Sequence, residues 1–326
     1  MTASDDPLVA FADSPLVAFA TVRDWLRYAV GRFNRANLTY GHGTANALDE
    51  AAFLILESLR LPVDDINPWL DARLLTAERQ RLLELITARI DRRVPAAYLV
   101  GAAYIQGRRF EIDSHVIVPR SYIGELLATT RLVDALDDVD TVTNVLDLCT
   151  GSGCLAILAA EAFPEATIDA VDVSPEAIRV AERNITAHGL SPRVKALTGD
   201  LFEPVAGRRY DLIIANPPYV AAAEVAAFAP EYASEPRLAH IGGEDGLDLV
   251  RRILLLAADH LEPAGTLVME VGTGRWLIED EFPEADFFWL DTAESDGEVL
   301  AIGADDLAEL IPDRPAKAAP RTAKRP

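Results

Sequence analysis

Two kinds of hydrophobic pattern divide the chain. In the first part, apolar side chains recur at the three- and four-residue spacing of amphipathic helices. This spacing predicts three helices, at about 19–33, 44–61 and 76–94. Further along, short continuous apolar runs alternate with helical segments, which is typical of right-handed strand-helix-strand units. We therefore expect a small helical bundle followed by an α/β domain.

The apolar runs of the second part predict a sheet of seven strands. Five runs read as buried strands and two more as a closing antiparallel pair, at 145–149, 167–172, 194–198, 211–215, 266–271, 287–290 and 298–302. Helices are predicted from Ser174-Pro175 to about His188 and over 247–261. Ahead of the sheet, 104–112 is typical of a hairpin with Gln106-Gly107 at its turn.

These elements divide the chain into four parts. We predict an N-terminal helical domain at 1–100, a hairpin linker at 101–119, the α/β domain at 120–310 and a tail at 311–326. The tail is rich in proline, alanine and basic residues, and we expect it to be disordered. The bundle has no obvious catalytic group, so it either grips a substrate protein or serves as a packing lid on the sheet domain.

The tetrapeptide Asn216-Pro217-Pro218-Tyr219 follows the apolar strand at 211–215. In an open α/β sheet, ligands bind in the crevice beyond the carboxyl ends of the strands. The Asn216 side-chain oxygen and the Pro217 carbonyl can each accept one N–H of an NH2 group, while Tyr219 packs on its flat face. Holding both hydrogens turns the lone pair of a poor nitrogen nucleophile toward an electrophile. An Asx-Pro turn without any chemistry has the same composition.

A glycine-rich turn lies upstream of this tetrapeptide. The strand at 145–149 runs into Gly151-Ser152-Gly153 and a helix, and the next strand ends at Asp172, 19 residues beyond Gly153. Such a turn lets backbone approach a ligand, and the acid can accept both hydroxyls of a ribose. The pattern also fits a dinucleotide fold. A dinucleotide needs two mononucleotide-binding halves and only one is recognisable, so we favour S-adenosylmethionine.

A third strand leads into Gly199-Asp200-Leu201-Phe202. This loop places an acid and an aromatic ring where an adenine would lie. Asp200 could equally be a polar loop residue, and Phe202 an ordinary core residue. The loop, Asp172 and the glycine turn all follow adjacent strands, and this favours a ligand-binding role.

Taken together, these motifs resemble those of the class I S-adenosylmethionine-dependent methyltransferases that act on exocyclic or amide nitrogens. The chain is more closely similar to the protein-glutamine methyltransferases in its segments 94–101, 118–121 and 242–248. Segments 24–28, 40–44 and 148–153 resemble the branch of that family that methylates the third protein of the large ribosomal subunit. The release-factor branch usually has glycine at the position of Cys149. Tyr122 departs from the pattern, since this branch more often carries proline there.

The resemblance, which spans roughly 20–305, implies a class I methyltransferase (Rossmann-like) fold and methyl transfer to a glutamine side-chain amide. It places the donor S-adenosylmethionine on ten residues: Asp147, Thr150, Gly151, Gly153, Asp172, Val173, Asp200, Leu201, Phe202 and Asn216. It places the glutamine against Asn216, Pro217, Pro218 and Tyr219, of which Asn216, Pro217 and Tyr219 are expected to be catalytic. No dedicated general base is implied, because an amide nitrogen becomes strongly acidic as it gains the methyl group.

Charge and cysteine content narrow the possible partners. Asp and Glu number 52 against 30 Lys and Arg, a net charge of −22. So acidic a surface repels phosphate backbones and attracts basic proteins, which favours a basic ribosomal protein over nucleic acid as substrate. Cys149 and Cys154 are the only cysteines and match no zinc spacing, and the five histidines are scattered, so no metal site is predicted. The apolar blocks at 7–12 and 15–20 lack the basic flank of a signal peptide, and we expect a cytoplasmic protein without a membrane span.

Three other functions fit parts of this pattern. A release factor could be the protein substrate. A nucleic-acid amine methyltransferase would use the same tetrapeptide on a base, but would be expected to show a basic face and an added recognition domain. A non-enzymatic factor that binds the donor and escorts a nascent ribosomal protein would not need intact site residues.

Overall fold

The computed structural model describes residues 14–129, 132, 136, 141–293 and 295–310. The predicted tail at 311–326 and the first apolar block at 7–12 lie outside these residues. No helix in the described part of the chain is long and apolar enough to cross a membrane.

The three helices predicted for the N-terminal part are confirmed, and two short ones flank them. Their bounds are α1 Pro15–Ala18, α2 Val22–Ala36, α3 Ala47–Leu59, α4 Thr76–Asp91 and α5 Ala96–Val100. Helix α3 begins later than predicted because the Asn46 side chain accepts the N–H groups of Leu48 and Asp49, at 2.9 and 3.0 Å, and so caps it. Trp25, Phe33, Leu54 and Leu82 are fully buried between these helices.

The predicted hairpin is also confirmed. Strands β1 Ala102–Ile105 and β2 Arg108–Glu111 pair antiparallel. Gln106 and Gly107 both have positive φ, 48° and 72°, as the twist-matched two-residue hairpin turn requires. The hairpin contacts both parts of the molecule, because the Tyr104 hydroxyl donates to Glu57 of α3 at 2.6 Å and the Glu111 N–H donates to Asn184 at 2.7 Å.

The remaining strands form one sheet of seven, as predicted. They are β3 Asn144–Leu148, β4 Thr167–Asp172, β5 Val194–Thr198, β6 Tyr210–Ala215, β7 Leu261–Glu270, β8 Phe288–Leu290 and β9 Val299–Gly303, in the spatial order β5-β4-β3-β6-β7-β9-β8. Strands β3 to β7 are parallel, and β9 is antiparallel to β7 and β8. The helices are α6 Tyr122–Ala128, α7 Cys154–Ala162, α8 Pro175–Ala187, α9 Ala222–Val225, α10 Asp248–Ala257, α11 Arg275–Glu281 and α12 Ala304–Glu309.

The boundary predicted between α10 and β7 was wrong. The helix ends at Ala257, not near residue 261, and β7 already begins at Leu261, which pairs with Tyr210. The next ladder pair is Leu212 with Thr266, so the residues between form an irregularity in β7. Pro263 lies in this irregularity, and a proline disfavours helix in the residue before it.

This topology fixes where a ligand can bind. From β3 the chain first adds β4 and β5 on one side of β3, and then crosses over to add β6 on its other side. The switch point of the sheet therefore lies between β3 and β6. The crevice at such a point lies beyond the carboxyl ends of the strands. The glycine turn follows β3 there, and the tetrapeptide follows β6.

Candidate active site

A cavity that encloses about 800 Å³, part of it open to solvent, lies at this switch point. Seven predicted site residues line it: Gly151, Asp172, Val173, Asp200, Leu201, Asn216 and Pro218. Further lining comes from two segments that the prediction did not include, His115–Ile117 and the stretch that contains Pro236, Leu238 and Ala239. The other six predicted residues do not line this cavity: Asp147, Thr150, Gly153, Phe202, Pro217 and Tyr219.

Asp172 holds the glycine turn against the end of β4. One carboxylate oxygen accepts the Gly151 N–H and the other the Ser174 N–H, both at 2.9 Å. Burial raises the pKa of Asp172, and these backbone hydrogen bonds partly oppose the rise. Each oxygen keeps a further lone pair that a ligand hydroxyl can use.

Asp147 holds both ends of the glycine turn through Thr150 and Ala156. The Asp147 side chain is 1% exposed and accepts hydrogen bonds from the Thr150 hydroxyl at 2.5 Å and from the Ala156 N–H at 3.0 Å. Burial raises the pKa of Asp147 to about 7. Gly153 has a packing role, because a Cβ there would lie 3.1 Å from the Ala181 Cβ of α8.

The loop after β5 contributes two of its predicted residues to the cavity. Asp200 and Leu201 line the wall, and Asp200 accepts a hydrogen bond from Arg252 at 2.7 Å. Phe202 is 5% exposed and stacks on His260, with 4.5 Å between ring centroids. Phe202 thus packs with the core, and its contact with an adenine ring stays a prediction.

On the opposite wall, the Asn216 side chain has a fixed orientation. Its Nδ2 donates to the main-chain oxygen of Arg120 at 3.2 Å. The Oδ1 atom is thereby left as the acceptor that Asn216 presents at the cavity. This is the arrangement that holding an NH2 group requires.

Glu270, which sequence reasoning missed, holds Tyr219 in place. Its side chain accepts the Tyr219 hydroxyl at 2.8 Å, the Ser121 hydroxyl at 2.6 Å and the Tyr122 N–H at 3.1 Å. Burial raises the pKa of Glu270, and it also raises the pKa of Tyr219 well above its ordinary value. The sequence did contain one signal for Glu270: it is an acid at the end of the apolar run of β7, and β7 pairs with β6, the strand that ends just before Asn216.

A salt bridge between the partly exposed Arg120 and the buried Glu235 was also missed. Two guanidinium nitrogens of Arg120 donate to the two carboxylate oxygens of Glu235, at 2.9 and 2.7 Å. Burial would raise the pKa of Glu235, but the His240 ring, whose Nε2 lies 2.9 Å away, and the Arg120 guanidinium outweigh it and hold that pKa far below its ordinary value. The family resemblance included Arg120 only as part of a turn, and nothing local marked Glu235.

Two glycines, Gly242 and Gly246, pack closely against the backbone of the tetrapeptide. A Cβ on Gly242 would lie 2.6 Å from the Pro218 carbonyl oxygen, and one on Gly246 would lie 2.4 Å from that of Tyr219. A Cβ on Gly243 would meet the Asp248 carboxylate at 2.1 Å. Only glycine fits so close to another backbone segment at 242 and 246, and the positive φ of Gly243, 109°, also favours glycine. The described residues contain no group of His, Cys, Asp and Glu suited to a metal ion.

The chain is similar in sequence to known methyltransferases. The family model described as "Methyltransferase small domain" matches residues 127–231. A Bradyrhizobium diazoefficiens protein called "Ribosomal protein uL3 glutamine methyltransferase" is 53% identical over 292 residues, 88% of this chain and 92% of its own. A Bordetella pertussis protein of the same name is 50% identical over 287 residues, 88% of this chain and 96% of its own. The solved hMettl16 catalytic domain, bound to an RNA hairpin, is more distant, at 16% identity over 70% of this chain and 81% of that chain with a TM-score of 0.47.

Proposed function

Since the chain belongs to the family of ribosomal protein uL3 glutamine methyltransferases, we propose that it methylates the side-chain amide nitrogen of a glutamine in uL3, with S-adenosylmethionine as donor. The observation that carries the proposal is the Asn216 amide, which Arg120 orients so that Oδ1 serves as the acceptor at the cavity. A glutamine NH2 group is the kind of ligand that such an acceptor holds.

The residues of the cavity fit this donor. Asp172 suits a ribose, and Gly151 lets backbone approach it. Asp172 and Asp200 are the acids of the wall, and no Lys or Arg is among the described residues that line it. Such a wall suits a cationic sulfonium and is poorly suited to the pyrophosphate of a dinucleotide.

The donor supplies an electrophilic methyl carbon on a positively charged sulfur. Asn216 Oδ1 and the Pro217 carbonyl each accept one N–H of the glutamine amide, and this leaves the nitrogen lone pair directed at that carbon. As the C–N bond forms and the C–S bond breaks, the nitrogen becomes acidic and loses a proton to water. Tyr219 follows the lining residue Pro218, and we propose that its ring packs against the amide once the glutamine is bound; Glu270 holds the Tyr219 hydroxyl in place.

We further propose that the N-terminal domain binds the substrate protein in a groove between α3 and the segment at 63–70. Apolar side chains such as Leu48 and Phe53 line this groove, and the acidic side chains of Asp49, Asp64 and Asp65 also line it. No Lys or Arg is among the described lining residues, so a basic ribosomal protein is complementary in charge. A cytoplasmic location, where ribosomal proteins are made, is part of the same proposal.

The assay that tests the function uses labelled donor with purified uL3, a release factor and RNA in parallel, followed by peptide mapping. We expect label on one glutamine of uL3, and labelling slower by about 10²- to 10³-fold with Asn216→Ala. Label mainly in the release factor would assign the chain to the sister branch. Label in RNA would overturn the protein-substrate proposal.

The docking groove has its own test. The triple variant Asp49→Lys, Asp64→Lys, Asp65→Lys should raise KM for uL3 by about tenfold or more, since it replaces attraction with repulsion at the docking surface. Its kcat and its donor affinity should stay close to wild type. The control Glu284→Lys, Asp286→Lys, Glu309→Lys makes the same charge change at exposed sites outside the groove. An equal rise in KM for both variants would point to net charge alone and refute the groove.

A further inference from the structure

One segment contacts both the N-terminal helices and the residues that hold Asn216. It runs from Pro230 to Ala239 and contains two buried glutamates, Glu231 at 0% and Glu235 at 4% exposure. Glu231 faces the N-terminal helices, where one oxygen accepts from Arg93 at 2.9 Å and from the Thr39 N–H at 3.0 Å. Glu235 instead binds Arg120, whose carbonyl holds Asn216. The two acids are thus alike in burial but differ in which partner they hold.

From this contact chain we infer that Glu235 is a positioning residue for methyl transfer, acting through Arg120 to set the orientation of the Asn216 amide. The inference rests on the proposed function of Asn216 as the acceptor for the glutamine NH2. Glu235 touches neither the cavity nor the reacting atoms.

The geometry shows how Glu235 can control the position of one carbonyl. It accepts the Val118 N–H at 3.0 Å and binds the Arg120 guanidinium through both oxygens. Glu235 therefore holds the backbone at Val118 and the side chain of Arg120, the two ends of a three-residue segment. The Arg120 carbonyl, which accepts from Asn216, belongs to this segment. If the carbonyl moves, the Asn216 amide loses the bond that distinguishes its oxygen from its nitrogen.

The same carboxylate also contacts the N-terminal domain. His240 Nε2 lies 2.9 Å and His42 Nε2 lies 3.9 Å from Glu235 Oε2. The Tyr232 ring lies under the Arg120 guanidinium at 5.8 Å and beside the His42 ring at 4.4 Å. His42 also lines the proposed docking groove. Glu235 thus lies between the surface proposed to bind the substrate protein and the residue proposed to bind its glutamine.

The test compares Glu235→Gln with the matched control Glu231→Gln. Glu235→Gln should lower kcat by about 10- to 100-fold, the range expected when a reacting group is slightly misplaced. Its KM for uL3 and its donor affinity should remain near the wild-type values. Glu231→Gln should cost similar thermal stability and leave kcat close to wild type. Equal loss of kcat in both variants, or unchanged kcat in Glu235→Gln, would show that Glu235 is only structural.

A double variant tests whether Glu235 affects kcat only through Arg120 or also independently of it. If Glu235 acts through Arg120, then Glu235→Gln combined with Arg120→Met should be no slower than the slower single variant. Multiplied losses would contradict the pathway.

The last readout does not depend on turnover. In ¹⁵N spectra, the Asn216 side-chain NH2 signals should shift or broaden in Glu235→Gln and stay in place in Glu231→Gln. Unchanged Asn216 signals in Glu235→Gln would overturn the inference even if kcat falls. Wild-type enzyme that fails to label uL3 would refute the proposed function, while these spectra would still decide whether Glu235 positions Asn216.

Discussion

We call the part of the cavity around Asp172, proposed to bind the methyl donor, the donor half, and the part around Asn216, proposed to bind the glutamine, the acceptor half. In the donor half, the residues that hold the site in place are close to one another in sequence. Asp172 reaches back 21 residues to Gly151, and Asp147 binds groups 3 and 9 residues away. In the acceptor half, Asn216 is held by Arg120, which lies 96 residues earlier in the chain, and Arg120 is held by Glu235, which lies 115 residues after it. A glycine turn and its acid therefore work as a local motif, whereas the tetrapeptide depends on the rest of the fold for its geometry.

The largest expected effect separates the two halves directly. Asn216→Ala should lower kcat by about 10²- to 10³-fold, because it removes a positioned acceptor from the transition state, and donor affinity should hardly change. Asp172→Ala should weaken donor binding by about 1.5–3 kcal/mol, since charge-assisted hydrogen bonds to the ribose are lost. Calorimetry with the donor and single-turnover rates measure the two effects. Equal loss of donor affinity in both variants would mean that the halves are not separate.

A smaller effect is expected from the glycines that hold the acceptor half. Gly246→Ala places a Cβ against the Tyr219 carbonyl at φ 89°, and should cost about 3 kcal/mol of unfolding free energy and lower kcat. Gly107→Ala is the control, because φ is 72° but nothing lies within 4 Å, so about 1 kcal/mol is expected. Denaturant unfolding measures both. Similar costs would mean that backbone conformation alone, not the close approach, requires glycine at 246.

The smallest effect concerns pH. Folding raises the pKa of Asp147 from 3.8 to about 7, so the folded state keeps a proton that the unfolded state has lost. The stability this contributes is complete below pH 3.8 and is lost as pH rises through about 7. Between pH 5 and 8, wild type should therefore lose about 2 kcal/mol more unfolding free energy than Asp147→Asn. Parallel stability curves for the two proteins would contradict this.

Glu235 in the acceptor half should behave in the opposite sense. Its pKa is lowered by folding, so its contribution is present above its ordinary pKa and is lost only under strong acid. The two buried acids differ because neutral donors surround Asp147, while an arginine faces Glu235.

Most of the fold could be predicted because its signals are local. Continuous apolar runs gave seven strands, and Gln106-Gly107 marked the hairpin turn. The end of α10 was missed because Leu261 pairs with Tyr210, and no local pattern shows such a pairing. Phe202 illustrates a related problem, since an aromatic ring after a strand can face a ligand or the core, and here His260 covers it.

The residues that hold Asn216 could not be predicted for the same reason. Arg120, Glu235 and Glu270 are ordinary charged residues in sequence, and they become functional candidates only when folding brings distant segments together. Glu270 was the easiest of the three to predict from sequence, because an acid at the end of a buried strand is unusual.

The contacts of Glu270 also bear on the order in which the site can form during synthesis. Ser121, Tyr219 and Glu270 span 149 residues, and a ribosome makes Glu270 last of the three. Contacts of such long range form late in folding, after local turns and helices. A nascent chain can therefore complete its glycine turn and β4 while the acceptor pocket is still open. The pocket proposed to hold the glutamine can be complete only when β7 has joined the sheet.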